Sequence, residues 1–387
     1  MPFDSLCRRE GLRRYEEQIN IVTKMKQPDK KLVLDSGVEF LGYGFGADTN
    51  SVCEIVFNTS MSGYQEILSN PSYTDQIVVM TYTMIGNYGI TDEDFEARNL
   101  TLGGLVVREV CDTPSNFRYT KTTAELLEEY SIPGISGIDT RMLTRLIRDG
   151  KCHRAAIVSA EMSTEEAVAL IKATPERRDA VERVSCKKRW YSRTPNHRFD
   201  VVLVDCGAKL NIVRMLNKRG CNVIIVPFNT PAKEVLAFSP DGVVISNGPG
   251  DPNDLPTVVE LVKELHGKLP IFGIELGHHL VALSYGAKVA KIEGVHRGGE
   301  HSVRNLESGK IETTAQGSLY FVNEKSLEGT PLEVTHRSVI ANTVEGVECK
   351  AEHIFSVQYN PESAPGAQDS AYLFDKFIKL MEERQNA

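Results

Sequence analysis

The fold is decided between residues 201 and 274, where VVLVD (201–205), KLNIVRMLNKRG (209–220), NVIIVPF (222–228), GVVISNGPGDP (242–252), TVVELVKELHG (257–267) and LPIFGI (269–274) follow one another. Short apolar runs alternate with segments whose apolar residues recur at helical spacing. That alternation predicts βαβ units and an α/β fold with a mainly parallel sheet flanked by helices. Ligands of such sheets bind beyond the carboxyl ends of the strands, so the loops after GVVI, after LPIFGI and after HIFSV (353–357) are where chemistry is sought.

Upstream the pattern changes. KLVLDSG (31–37), EIVFNTS (54–60), QIVVMTYT (76–83) and LGGLVVREV (102–110) are β-rich runs separated by turn residues, which predicts a β-rich α/β domain with few helices. TAELLEEY (123–130), TRMLTRLIRDG (140–150) and STEEAVALIKATPERR (163–178) carry its helical patterns, the second entered through Asp139 or Thr140 and closed by Gly150. Leu12, Tyr15, Ile19 and Val22 stand at helical spacing and predict a short amphipathic helix in the first thirty residues. The basic, proline-containing CKKRWYSRTPNHRFD (186–200) reads as a connector. The expected plan is an N-terminal extension over 1–30, a first domain over 31–185, a linker over 186–198 and a second domain over 199–387.

Composition agrees with two compact domains: 387 residues, 25% charged and 41% hydrophobic. A net charge of -8 argues against general attraction to nucleic acid or anionic membrane. Eight cysteines without CxxC spacing, no long apolar run and no leader-like N-terminus read as a soluble, cytoplasmic protein with reduced thiols.

Three loops carry the candidate chemistry. Ser246-Asn247-Gly248-Pro249-Gly250-Asp251-Pro252 has glycines that let backbone amides approach a ligand. Gly273-Ile274-Glu275-Leu276-Gly277-His278 flanks one residue with glycines between a strand and a helix, as a nucleophile elbow does. Gln358-Tyr359-Asn360-Pro361-Glu362 occupies the position from which a base and its orienting carboxylate would come, but it contains no base.

From about Lys31 onward the chain resembles the small, glutaminase subunit of carbamoyl phosphate synthetases, and its second half resembles the class I triad glutamine amidotransferases. NTSMSGYQEILSNPSY (58–73), SNGPGDP, GIxLGHx, HRGGxHxV (296–303), TxEGVEC (343–349) and SVQYxPESAPGxxDS (356–370) carry the resemblance by their order and spacing. The first domain then corresponds to the one that docks on the large subunit in that family. The resemblance implies that the cysteine nucleophile falls on Glu275 and the histidine base on Asn360, with the triad acid kept as Glu362. Glutamine-contacting positions correspond to Ser60, Gly248, Gly250 and Leu276. A family glutamine falls on His279, and the family's Q-N-H-G-F/Y stretch falls on Gln316-Gly317-Ser318-Leu319-Tyr320, where an asparagine has become Gly317 and a small residue Leu319.

These departures bear on the reaction. The thiol route needs a cysteine paired with a histidine that lowers its pKa, and neither is present. A carboxylate is a poor nucleophile toward an amide, and asparagine exchanges no proton at neutral pH. Losing nucleophile and base together removes on the order of a millionfold in rate, so glutamine is not the expected substrate. Two readings of Glu275 stay open: an acid tolerated at a helix N-terminus, favoured there by about 0.3 to 1 kcal/mol, or a carboxylate that occupies the oxyanion hole and mimics a liganded site. His278, His296 and His301 lack a recognised ligand spacing, so no metal is expected. Cys206 reads as a small buried residue rather than a substitute nucleophile.

The resemblance therefore implies a noncatalytic small chain that pairs with an ATP-grasp large subunit, or a paralogue of one, and stabilises or regulates it. Carbamoyl phosphate for pyrimidine or arginine synthesis would be made from ammonia, with ATP and magnesium belonging to the partner and no cofactor in this chain. The alternative is a repurposed hydrolase or transferase using Glu275 on another amide or carbamoyl compound.

Overall fold

A computed structural model describes residues 27–195, 197–291, 298–317 and 319–386. The helix expected near residues 12–22 lies outside them.

The first domain is a closed barrel, a closure the sequence pattern did not announce. Its strands follow the order Lys30–Leu34, Glu39–Gly46, Pro133–Ser136, Gly104–Val106, Gln76–Met80, Ser51–Asn58 and Arg154–Ser159, and the last pairs with the first. Leu32, Leu34, Ile55, Phe57, Ile77, Val79, Ile135 and Ile157 meet in one buried cluster drawn from around the barrel. The alternate residues are covered as well: Val33, Ala156 and Val158 by Ala167 and Ile171 of the helix Thr164–Ala173, and Val56, Val78 and Leu105 by Ile67, Leu68, Leu126 and Leu127. Burial on both faces explains why these strands read as continuous apolar runs rather than as alternating ones. The helix Thr140–Arg148 starts where its cap was expected, the Asp139 carboxylate accepting from the Met142 amide at 2.9 Å.

The second domain is a doubly wound sheet. Cys221–Pro227, Phe199–Asp205, Gly242–Ile245, Ile271–Ile274 and Ile354–Val357 lie side by side in parallel. On one face pack Val258, Leu261, Val262, Leu280 and Val281 of the helices Pro256–Leu265 and Leu276–Ser284. On the other pack Ile212, Leu216, Phe374, Phe377 and Met381 of the helices Leu210–Lys218 and Tyr372–Gln385. The sheet continues antiparallel through Val344–Cys349, Glu333–Ser338, Gly298–Asn305 and Ile311–Gln316. The stretch expected as a linker is partly built into this sheet: Trp190–Ser192 pairs antiparallel with Cys221–Pro227 and forms its edge. Alternating Trp190-Tyr191-Ser192 is short enough that the basic residues around it masked the strand.

The two domains meet through polar contacts. Glu96 of the first accepts from the Asn211 amide at 3.0 Å and from Arg214 at 2.8 Å, and its carbonyl accepts from the Leu210 amide at 2.9 Å. It thereby caps the helix Leu210–Lys218, whose own N-cap residue Lys209 makes no side-chain cap. Lys291 reaches Glu54 at 2.7 Å. Among the described residues no helix is long and apolar enough to cross a membrane.

Candidate active site

The strand Ile271–Ile274 delivers the chain to Glu275, whose backbone sits at φ 53° and ψ -104° before the helix Leu276–Ser284 begins. Such a conformation costs a non-glycine residue on the order of 1–3 kcal/mol and persists only when its surroundings enforce it. Here they do. The Glu275 amide donates to the Val357 carbonyl at 2.9 Å and the Gly277 amide to the Ser246 carbonyl at 3.1 Å. A Cβ at Gly277 would stand 2.2 Å from the Ile245 carbonyl oxygen, and one at Gly273 2.6 Å from the Gly277 carbonyl oxygen. The elbow is built as the flanking glycines suggest.

The Glu275 side chain turns inward and is 2% exposed. The Ser72 hydroxyl donates to Glu275 Oε2 at 2.7 Å, and Ser72 Oγ in turn accepts from Asn247 Nδ2 at 3.1 Å. Asn247 Oδ1 accepts from the Lys209 amide at 3.0 Å, completing a chain of bonds across the site. Ser72 belongs to the first domain, so the barrel reaches into the elbow.

Glu275, Gly248, Gly250, Leu276, His279, Gly317, Leu319 and Tyr320, all picked from the sequence, line one small cavity of about 50 Å³. Ser72, Glu54 and Gln76 line it too. That volume holds a few water molecules and lies well below the size of a metabolite pocket. Gly248 is fixed by crowding, since a Cβ there would stand 2.1 Å from the Cys206 carbonyl oxygen. Gly317 leaves room for Glu275: a Cβ there would stand 2.8 Å from Glu275 Oε1. Leu319 belongs to a buried cluster otherwise made of first-domain residues, so its bulk serves the domain contact. Ser60 does not line the cavity; its amide donates to Asn58 Oδ1 at 2.7 Å and its hydroxyl is buried without a protein partner.

At the base position, Asn360 Nδ2 donates to Glu362 Oε1 at 3.0 Å. Lys209 Nζ pairs with the same oxygen at 2.9 Å, and both side chains are buried. Burial pushes the Lys209 ammonium down, but the carboxylates of Glu362, Glu96 and Glu275 outweigh it and hold its pKa above the usual lysine value. Glu362 is thus charge-compensated and bonded to an amide that takes up no proton.

The histidines of the site are buried and held neutral. Burial pushes His279 down to about 4, and its Nε2 lies 3.3 Å from Gln358 Oε1. Burial also holds His278 well below the usual range, with Nδ1 2.9 Å from the Ser356 hydroxyl. Among the described residues no three His, Cys, Asp or Glu side chains are grouped to hold a metal; His296 lies outside them. Cys206 is fully buried and its thiol is pushed well up by that burial, which removes it as a nucleophile.

Sequence reasoning missed Ser72, Asn247 and Lys209. Ser72 stands one residue before the end of the quoted motif NTSMSGYQEILSNPSY, and Asn247 stands inside SNGPGDP, so both lay in stretches already marked. What the sequence lacked was the distance between residues 72 and 275.

Comparison with known proteins gives the chain's family. Residues 32–157 match the carbamoyl-phosphate synthase small chain, CPSase domain, and residues 202–380 match the class-I glutamine amidotransferases. A carbamoyl phosphate synthase pyrimidine-specific small chain of Halalkalibacterium halodurans is 49% identical over 92% of this chain and 98% of its own length. Carbamoyl phosphate synthase small chains of Staphylococcus haemolyticus and Fusobacterium nucleatum are 50% and 49% identical, over 91% of this chain and 96% and 98% of theirs. With both domains matched in order over nearly the whole length, the chain belongs to the carbamoyl-phosphate synthase small-chain family.

Proposed function

We propose that this chain is a small subunit that no longer hydrolyses glutamine and acts instead as a structural or regulatory partner of a large, ATP-using synthetase subunit. That subunit makes carbamoyl phosphate from free ammonia, for pyrimidine or arginine synthesis, and ATP and magnesium belong to it. The observation that carries the reading is the buried Glu275 carboxylate at the elbow, bonded to Ser72 in a cavity of about 50 Å³. No thiol stands there, Asn360 supplies no base, and an amino acid does not fit beside Glu275. The barrel and its motif NTSMSGYQEILSNPSY are intact, as a chain that still docks on a partner requires.

The test is co-purification with a large subunit followed by two assays. Carbamoyl phosphate formed with ammonium but not with glutamine, and no glutamate released, is the expected result. Glutamate release at rates typical of a triad enzyme would overturn the proposal. A Glu275→Cys variant is expected to stay inactive, because Asn360, His279 and Gly317 also depart from the family pattern. The reading in which Glu275 attacks another amide or carbamoyl compound predicts a labelled covalent intermediate on Glu275 and loss of turnover in Glu275→Gln.

A further inference from the structure

Ion pairs that cross the domain boundary include Glu96 with Arg214, Glu54 with Lys291 and Asp254 with Arg178, and hydrogen bonds of Ser72 with Glu275 and with Asn247 cross it as well. In these ion pairs the basic side chain is 41%, 51% and 81% exposed, so water and salt screen them. The Ser72–Glu275 bond is desolvated at both ends, each residue being 2% exposed, as is the neighbouring bond from the fully buried Asn247 to Ser72. A hydrogen bond to a carboxylate in such a place is among the stronger ones available, and an unpaired carboxylate there is costly.

We propose that Glu275, at the position of the nucleophile, acts as a carboxylate bridge that fastens the second domain to the barrel through Ser72. Several features serve the bridge. Asn247 orients the Ser72 hydroxyl, and Asn247 is itself oriented by the Lys209 amide. Gly317 leaves the space that Glu275 Oε1 needs. The positive-φ elbow aims the side chain out of the second domain's sheet toward the turn Pro71–Tyr73 of the first. Glu54, Gln76, Gly250 and Tyr320 line both the cavity at Glu275 and a larger groove of about 630 Å³ between the domains. Ser72 and Glu275 line only the smaller cavity, so the bridge sits beside the larger groove rather than in it.

The bridge rests on the reading that Glu275 is not a nucleophile, and its test avoids activity altogether. Amide hydrogen exchange is followed on the full chain for residues 64–73 of the barrel and 272–284 of the elbow and its helix, in wild type, Ser72→Ala, Glu275→Ala, Glu275→Gln and the Ser72→Ala/Glu275→Ala double variant. Either single truncation is expected to speed exchange in both segments, on the order of ten- to a hundredfold. The double variant is expected to exchange no faster than the worse single one, as two ends of one contact require. Glu275→Gln keeps an acceptor for Ser72 and is expected to fall between, which preserves the test if the alanine variant folds poorly. Effects confined to the mutated segment, or effects that multiply in the double variant, would overturn the bridge. Glutamate release by the wild-type chain with a large subunit would overturn the noncatalytic reading and leave these exchange results as they stand; unchanged exchange without glutamate release would overturn the bridge alone.

Discussion

Glu275 and Glu362 are both 2% exposed, both belong to the site, and are held in different ways. Glu362 is paired with a buried ammonium at 2.9 Å and also bonded to Asn360. Glu275 is held by the neutral Ser72 hydroxyl, in a strained backbone, with the Lys209 charge acting on it from farther away. Beside Glu275, Gly317 leaves room for its Oε1. The difference separates a carboxylate paired with a buried cation from one bonded to a hydroxyl.

That separation predicts unequal costs. Lys209→Ala leaves Glu362 buried without its counter-charge and is expected to destabilise the chain by about 3–5 kcal/mol. Ser72→Ala removes one neutral donor from Glu275 and is expected to cost about 1–3 kcal/mol. Urea denaturation of the two variants checks the order, and equal midpoints would erase the distinction between the two glutamates.

The fit between Glu275 and Gly317 gives a sharper test. Gly317 does not have a positive φ, so a Cβ there is strained by contact rather than by backbone. Gly317→Ala places that Cβ 2.8 Å from Glu275 Oε1 and is expected to cost about 1–3 kcal/mol. In a Glu275→Ala background the same change is expected to be nearly neutral. A Gly317→Ala cost of the same size in both backgrounds would mean that Gly317 does not make room for Glu275.

Most of the second domain was legible because its strands and helices write different periods into the sequence. The elbow was legible because Gly273 and Gly277 are demanded by close backbone approach to Gly277 and Ile245. The barrel's closure was not, because pairing between Lys30–Leu34 and Arg154–Ser159 joins residues more than a hundred positions apart and leaves no local mark. The strand Trp190–Ser192 was hidden by its length and its basic neighbours. Leu319 looked like a pocket substitution, and it is also part of a buried cluster of the first domain. Ser72 was invisible for a related reason: its role comes from a residue 203 positions away in sequence.

His279 extends the comparison from carboxylates to a base. Its ring is buried beside Gln358 with a pKa pushed down from 6.5 to about 4, so the folded chain holds it neutral where the unfolded chain would protonate it. Between those values acid favours unfolding, and stability falls by about 1.4 kcal/mol per pH unit from this residue as pH drops. His336, pushed to about 4 by burial, adds a slope of the same sign, as does His278, also pushed well below the usual value by burial. His279→Gln removes one of the three, so the stability lost between pH 7 and pH 5 is expected to be smaller in the variant by about 2 kcal/mol. Urea midpoints at the two pH values measure it. An unchanged difference would mean that His279 is protonated as readily in the folded chain as in the unfolded one, and that the cavity beside Glu275 is open to water.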